Sequence, residues 1–408
     1  MPIQGLSQAL ASKLDEMKQA GRLKGRETII RGIVPPGPST GRRYLLEGEG
    51  EKAFLRMNAN NYLGLSFRPE LIAADEEAVR QFGTGPGAVR FISGSWSPHT
   101  AIERRLAQFH GREAAMLFSS AYATAMGVLP PLVTDKTAVI SDALNHSCII
   151  NAIALARPAA KHIYRHLDMA GLEAGLAAAA ETCTRAIIVT DGIFSMRGDH
   201  APLEAIMALA RQYDAGFPEN VVVVVDDSHG VGAFGQTGRG TEEYTKSGPA
   251  DILVATLGKA FGVNGGYVAG ADTIIRYLRE TSPFYIYSNP ITPGEAAAAL
   301  AAVELVDGPV GLELLAHLRA MTGRFKAGLA KLGFETLPGE HPVVPLMLRD
   351  SARTSALVAH LRERGILATG LNYPVVPKGE EEIRFQISAD HVPADIDEAL
   401  EALRRFGG

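Results

Sequence analysis

Lys259 sits in Thr256-Leu257-Gly258-Lys259-Ala260, directly after the apolar run 252–255, and the apolar run before it, 221–225, delivers Asp226-Asp227-Ser228-His229. A lysine amine can condense with an aldehyde, and a buried aspartate can keep a pyridine nitrogen protonated so that the ring draws electrons from a neighbouring carbon. Taken singly, a lysine between small residues fits a solvated loop, and an Asp-Asp pair at a strand end fits a turn or a helix cap. The ordered pair, both members at strand ends and followed by Gly265-Gly266-Tyr267, reads instead as a pyridoxal phosphate site.

Three further groups suit the same ligand. A phosphate needs amide donors and a positive dipole, which a helix start supplies without net charge. Ser120, Ala121 and Tyr122 lie at a strand-to-helix corner of that kind, and the Thr256 hydroxyl can add a donor. His146, after Asn145 at another strand end, is placed to stack on the ring. His229, three residues past Asp226, is assigned to the ring hydroxyl oxygen and Asp226 to the ring nitrogen.

The elements that must position these residues are legible as alternation. Short β-rich runs at 114–118, 137–141, 162–164, 186–190, 221–225, 252–255 and 267–269 alternate with helical segments such as 100–109 and 202–213. This predicts an α/β fold whose mostly parallel, seven-stranded sheet is covered by helices on both faces, with ligands beyond the carboxyl ends of the strands. Residues 1–20 show helical spacing of Leu6, Leu10, Leu14 and Met17, and 32–50, rich in Gly and Pro, reads as a connecting loop or short hairpin. From about residue 290 the pattern changes to a long helix, a strand at 343–348, a helix at 357–364 and a strand at 383–388, a smaller α+β lobe. The expected division is 1–55 for an N-terminal helix and connecting segment, 56–290 for a large cofactor-binding domain, and 291–408 for a small domain.

Composition narrows the function classes. A 408-residue chain that is 46% hydrophobic can bury more than one lobe, and a formal charge of -5 argues against nucleic acid as main partner. Cys148 and Cys183 have neither disulfide-framework nor metal-ligand spacing, so no metal is expected and a reducing cytoplasm fits. No run is long and apolar enough for a bilayer span, so no membrane partner is expected.

The chain resembles the α-oxoamine synthases, fold-type I pyridoxal phosphate enzymes that join an amino acid to an acyl-CoA. The matching segments are Asn60-Asn61-Tyr62-Leu63-Gly64-Leu65, 85–90 with Gly94, Leu144-Asn145-His146, Thr190-Asp191-Gly192-Ile193-Phe194-Ser195-Met196, Asp226-Asp227-Ser228-His229, Thr256-Leu257-Gly258-Lys259-Ala260, Tyr287-Ser288-Asn289 and 373–379. The resemblance implies that Arg384 grips the substrate carboxylate with help from Asn60, and that Ser195 lies near the cofactor. It also implies that Ser288 and Asn289 reach the phosphate of the neighbouring subunit's cofactor, which makes a homodimer with active sites at the interface. Lys259, His146, Asp226 and His229 are the implied catalytic set.

Within the family the nearest likeness is to its glycine C-acetyltransferase branch, through Ser288-Asn289, Gly238-Arg239-Gly240 and 373–379 followed by 383–389. That implies reversible condensation of glycine with acetyl-CoA to 2-amino-3-ketobutyrate. The alternatives are a decarboxylating relative of the 8-amino-7-oxononanoate or sphingoid-base type, or a CoA-independent lyase or aldolase. Four places depart from the family pattern: Ala123-Thr124-Ala125-Met126 where an Asn is common, Arg197 where an acidic residue is usual, Ser147-Cys148 for Ala-Ser, and Glu380-Glu381-Glu382 where a basic residue tends to precede the arginine.

Overall fold

All seven β-rich runs become strands of one sheet, in the spatial order Ala114–Phe118, Gly266–Gly270, Ile252–Thr256, Val221–Asp226, Arg185–Asp191, Thr137–Asp142, Ala160–Tyr164. The structure is a computed structural model that describes residues 3–20, 23, 26–373 and 375–407, so residues 1–2 of the expected N-terminal helix and Pro374 of the 373–379 motif lie outside the described residues. Six strands run in one direction, five of them joined in adjacent parallel ladders, and Gly266–Gly270 is antiparallel to both its neighbours. The inner strands are β-branched runs buried throughout, as expected for a sheet covered on both sides.

Alternation sorts each strand between two cores. Ile140, Ile188, Val223, Val225 and Leu253 pack with Ile102, Leu106, Leu172, Leu176, Leu203 and Ile206. Val139, Ile187, Val189, Val224 and Val254 pack on the other face with Val128, Leu129, Ile149, Ile153, Ile275 and Leu278. The sheet is therefore clamped by helices on both faces, and its carboxyl edge is where polar groups emerge.

The antiparallel strand matters to that edge. Because it runs the other way, its first residue, Gly266, stands opposite both Phe118 and Thr256. A Cβ on Gly266 would lie 2.3 Å from the Ala121 amide nitrogen and from the Ser120 carbonyl carbon. Only a glycine lets the start of the Ala121–Leu132 helix come this close to the sheet.

The C-terminal part carries one difference from expectation. Where the sequence suggests one long helix there are two, Pro293–Val306 and Pro309–Lys331. Pro309 has no amide to donate and disfavours helical backbone before it, and Gly308 is extended. The Asp307 carboxylate at this break is held by Arg105 and Arg239, each at 2.6 Å. Beyond it, Glu335–Thr336, Val343–Met347, Glu382–Gln386 and Thr369–Leu371 form an antiparallel sheet, and the expected 357–364 helix spans Ser351–Glu363.

At the other end, the helix Gln4–Gln19 buries no residue. The 32–50 segment resolves as a hairpin: Ile30–Val34 pairs with Arg43–Leu46. The next strand, Ala53–Arg56, pairs in parallel with Ile366–Leu367 and so ties the N-terminal segment to the C-terminal part. Among the described residues no helix is long and apolar enough to cross a membrane.

Gly266→Ala is expected to lower unfolding stability by about 1–3 kcal/mol, the usual range for forcing extra atoms into a packed interior. Chemical denaturation monitored by circular dichroism checks this, and an unchanged midpoint would mean that the corner can yield.

Candidate active site

Asp191 and Asp226 end adjacent parallel strands and are paired in register, so two carboxylates emerge side by side at the carboxyl edge of the sheet. Both are buried. Asp226 accepts the Ser228 amide at 3.1 Å and faces the Cys148 thiol at 3.6 Å; Asp191 accepts the His146 amide at 2.9 Å. Burial, and then the charge of Asp226, raise the Asp191 carboxyl well above its usual range. Lys259, in the loop after the next strand, faces this pair. Burial lowers its ammonium to about 8, with Asp226 and Asp191 opposing the shift. A neutral, nucleophilic amine is therefore within reach near neutral pH.

Histidines flank the cluster in neutral form. His146 begins the Ser147–Ala156 helix, where its Nδ1 accepts the Cys148 amide at 3.2 Å and stands 3.0 Å from the Cys148 sulfur. Burial lowers its value, Asp226 opposes and Lys259 adds to the lowering. Asn145 braces the same corner: its side chain donates to Ser141 Oγ and to the Val189 carbonyl and accepts the Asp191 amide. His229 is pushed well below the usual imidazole range by burial first and by Lys259 next. Its Nδ1 is 2.7 Å from the Tyr62 hydroxyl, and its carbonyl is 2.9 Å from His341 Nε2.

At the corner expected to hold a phosphate, Ser120 caps the Ala121–Leu132 helix by accepting the Ala123 amide at 3.1 Å, one of the four amides left free where a helix begins. The Tyr122 hydroxyl is reached by Asn151 Nδ2 at 2.5 Å. Thr256 Oγ1 donates to the Gly265 carbonyl and accepts the Gly258 amide, which fixes the turn that carries Lys259.

The small sheet brings Arg384 across from the other side. Its Nη1 donates to the Ser195 carbonyl at 2.8 Å. With the Gln386 amide turned as its neighbours require, Oε1 accepts Arg384 Nη2 at 2.9 Å and Nε2 donates to the Asn58 carbonyl at 3.1 Å. The Gln386 and Asn60 amides touch at 2.5 Å. Arg384 Nε is buried without a partner. A cavity of about 310 Å³ opens here, lined among others by His146, Ser195, Met196, Arg197 and Val375. A larger one, about 890 Å³ and bordered by Phe234, Tyr244 and Arg319, shares no lining residue with this cluster.

Lys259, Asp226, His229, His146, Arg384, Ser195 and Asn60 thus converge on one cleft, with Ser120, Ala121, Tyr122 and Thr256 at its sheet edge. Ser288 and Asn289 do not join them within one chain: among the described residues no hydrogen bond ties them to the Lys259 cluster, and Asn289 is exposed beside Tyr287. Sequence reasoning left Asp191, Tyr62, Cys148, Gln386 and His341 unassigned. Asp191 and Tyr62 stand inside quoted motifs, and Asp191 repeats the strand-end signal of Asp226; Gln386 and His341 act through contacts that span the chain.

A second network sets the far wall. His166 is 3.1 Å from Asp142 and 3.2 Å from Asp199; Asp199 holds Arg197 at 2.9 Å, and Arg197 reaches Glu380 at 3.3 Å. Burial alone would lower His166, but the hydrogen bonds to Asp142 and Asp199 outweigh it and raise the imidazole to about 9.

A lysine that loses its proton easily, a buried carboxylate facing it, a glycine-tight helix start with free amides and neutral histidines on either side fit pyridoxal phosphate, and the cleft defines a pyridoxal phosphate enzyme of fold type I. The aminotransferase class I and II family profile matches residues 52–403. The chain belongs to that family and, within it, to the α-oxoamine synthases. It is 38% identical over 398 residues to the 8-amino-7-oxononanoate synthase of Thermosipho melanesiensis, covering 97% of each chain. It is 42% identical over 357 residues to the mitochondrial 2-amino-3-ketobutyrate coenzyme A ligase of Homo sapiens, covering 86% of this chain and 82% of that one. Among solved structures, a Sphingomonas wittichii serine palmitoyltransferase superposes with a TM-score of 0.85 at 25% identity over 99% of this chain and 98% of that one.

Because His166 is raised in the folded state, its contribution to stability is fully present below the ordinary histidine value of 6.5 and is lost as pH rises through about 9. Unfolding midpoints of wild type and His166→Gln, measured from pH 6 to 9.5, are expected to converge at the alkaline end. A gap that stays constant would remove the charge from the network.

Proposed function

We propose that this protein condenses glycine with acetyl-CoA, forming 2-amino-3-ketobutyrate and CoA with the carboxylate retained. The observation that carries the reading is Arg384: its guanidinium is oriented by the Ser195 carbonyl and by Gln386, and its buried Nε is unspent. That is a receptor for an amino-acid carboxylate, and a fixed fork suits one. Likeness to 2-amino-3-ketobutyrate coenzyme A ligases and the modest volume of the cavity support a short acyl group.

In this reading Lys259 would hold the cofactor's aldehyde carbon, Asp226 its ring nitrogen, His229 its ring hydroxyl oxygen, His146 its face, and Ser120, Ala121, Tyr122 and Thr256 its phosphate, with Ser195 close by. Pyridoxal phosphate, when bound, supplies an electron-withdrawing ring that makes the Cα proton of an attached amino acid acidic. Arg384, helped by Asn60, holds the glycine carboxylate and so aims one Cα hydrogen at the Lys259 amine. Released when the glycine amine takes its place at the cofactor's aldehyde carbon, the Lys259 amine takes the Cα proton as general base, a role suited to an amine lowered to about 8. The deprotonated carbon bonds to the thioester carbonyl, the C–S bond breaks, and CoA leaves as its thiol with the proton that Lys259 had taken. Tyr62 keeps His229 in place through Nδ1.

The proposed assembly is a homodimer in which Ser288 and Asn289 complete the partner's phosphate site. Tyr287 is 76% exposed, and Phe91, which meets it edge-on, is 60% exposed, so a second copy would cover an apolar patch at this point. The proposed division is at residues 55 and 290, with the first part joined to the third by the pairing of Ala53–Arg56 with Ile366–Leu367.

Similarity to 8-amino-7-oxononanoate synthases at 38% identity favours a second reading, with a longer acyl chain and loss of the carboxylate. Amino acids crossed with acetyl-, malonyl- and longer acyl-CoAs, with products weighed by mass spectrometry, separate the two. Glycine plus acetyl-CoA should give a product that keeps its carboxylate; a decarboxylated product would select the second reading. Arg384→Ala should raise the glycine KM by about tenfold to a hundredfold, the range for losing a hydrogen bond to a charged group, and an unchanged KM would place the carboxylate elsewhere.

A further inference from the structure

One polar group in the cleft is left over from both the fold and the mechanism. Glu382 is 2% exposed, and its Oε1 is buried with no hydrogen-bond partner. It opens the Glu382–Gln386 strand, so alternation puts its side chain on the face of Arg384 and Gln386, and it lines the 310 Å³ cavity. A buried carboxyl in a folded protein is normally paired. Neither nearby cation hydrogen-bonds it: Arg384 gives Nη1 to the Ser195 carbonyl and Nη2 to Gln386, with Nε left for the substrate, and Arg197 is held by Asp199 and Glu380.

We infer that Glu382 is a specificity-determining residue that, in its ionised form, disfavours acyl chains ending in a carboxylate, while neutral chains are admitted in either form. The inference rests on the acyl-thioester reading above and deepens it. The two kinds of relative differ in this respect by the chemistry of their names: 8-amino-7-oxononanoate has a carboxylate at the far end of the chain from its ketone, whereas the acyl portion of 2-amino-3-ketobutyrate is a methyl ketone. A neutral chain in this cavity meets Met196, Val375 and Pro377. A carboxylate-ended chain meets a second carboxyl in a site with little water, where two such groups cannot both ionise cheaply.

The discrimination has a pH signature. Burial raises Glu382 to about 8, opposed by Arg384 and Arg197. The charged and titratable groups that face it are Arg384 on its own strand, Arg197 and Asp199 from the loop after Arg185–Asp191, Glu380 just before the strand, and His146 across the cavity. The flanking strands place Met347 and Leu371 opposite it, which add no charge. Below about 8 the carboxyl is protonated and a second carboxylate is tolerated; above it the two anions repel.

The test compares succinyl-CoA with butyryl-CoA, of similar length with and without a terminal charge, by calorimetric binding to pyridoxal phosphate-loaded protein at pH 6.5 and 9. For wild type the ratio of succinyl to butyryl dissociation constants should rise by about tenfold, the effect of one pH unit past the titration point. For Glu382→Gln it should stay flat and favour succinyl-CoA more than wild type does at pH 9. A flat wild-type ratio, a pH response that survives in Glu382→Gln, or binding of neither thioester overturns the inference. If the variant does not fold, the wild-type pH response decides alone. Thiol release from acetyl-CoA with glycine is scored separately, so failure of the acyltransfer reading is distinguishable from failure of the Glu382 assignment.

Discussion

The site is built around a charge problem: one ammonium and two carboxylates held at neighbouring strand ends where little water enters. Asp191 and Asp226 cannot avoid each other because the parallel ladder puts them in register. Charges in such a place are tolerated only when they are paired or can give up their ionisation. The structure uses both routes. Asp191 is pushed toward its protonated form, and Lys259 is lowered to about 8, so proton positions in the cleft sit close to balance. The proposed role of Lys259 as base and nucleophile draws on that near-balance, which requires the low-dielectric edge of a sheet with helices on both faces.

The rest of the cleft keeps that cluster dry and aimed. Arg384 comes from the small sheet, Asn60 and Tyr62 from the N-terminal side, and His341 from the segment before Val343–Met347; each touches a residue of the large sheet or its loops, or a partner that does. The wall holding Arg197 is anchored from below by His166 between two aspartates. In the proposed reading substrate selectivity falls to the groups this frame leaves over, among them Glu382, the more buried of the two carboxyls lining the cavity.

Much of the fold was legible because it depends on local pattern. Runs such as 221–225 and 252–255 are β-branched and flanked by turn residues, and they extend by only a residue or so, to Asp226 and Thr256, once their ladders form. Strand-end logic pointed to Lys259, Asp226, His229 and His146 for the same reason, and the ladders bring them to one edge of the sheet. The split at Pro309 is hidden from apolar spacing, which continues across the break, and comes from the proline's missing amide and the extended Gly308 before it. Tyr62 and Gln386 could not be assigned from spacing: the Tyr62–His229 contact joins residues 167 positions apart, and the Gln386–Asn60 contact joins residues 326 apart. Cys148 was visible only as a departure from the family pattern, and its place between His146 and Asp226 appears once the helix start folds over the sheet.

Borohydride reduction of pyridoxal phosphate-loaded protein, followed by peptide mass mapping, tests the central arrangement most directly. The cofactor should be fixed on the peptide containing Lys259, and Lys259→Ala should show no fixed cofactor on any lysine. An adduct on a different lysine in wild type, or none at all, would contradict the placement of this amine among the strand-end carboxylates as the cofactor's anchor.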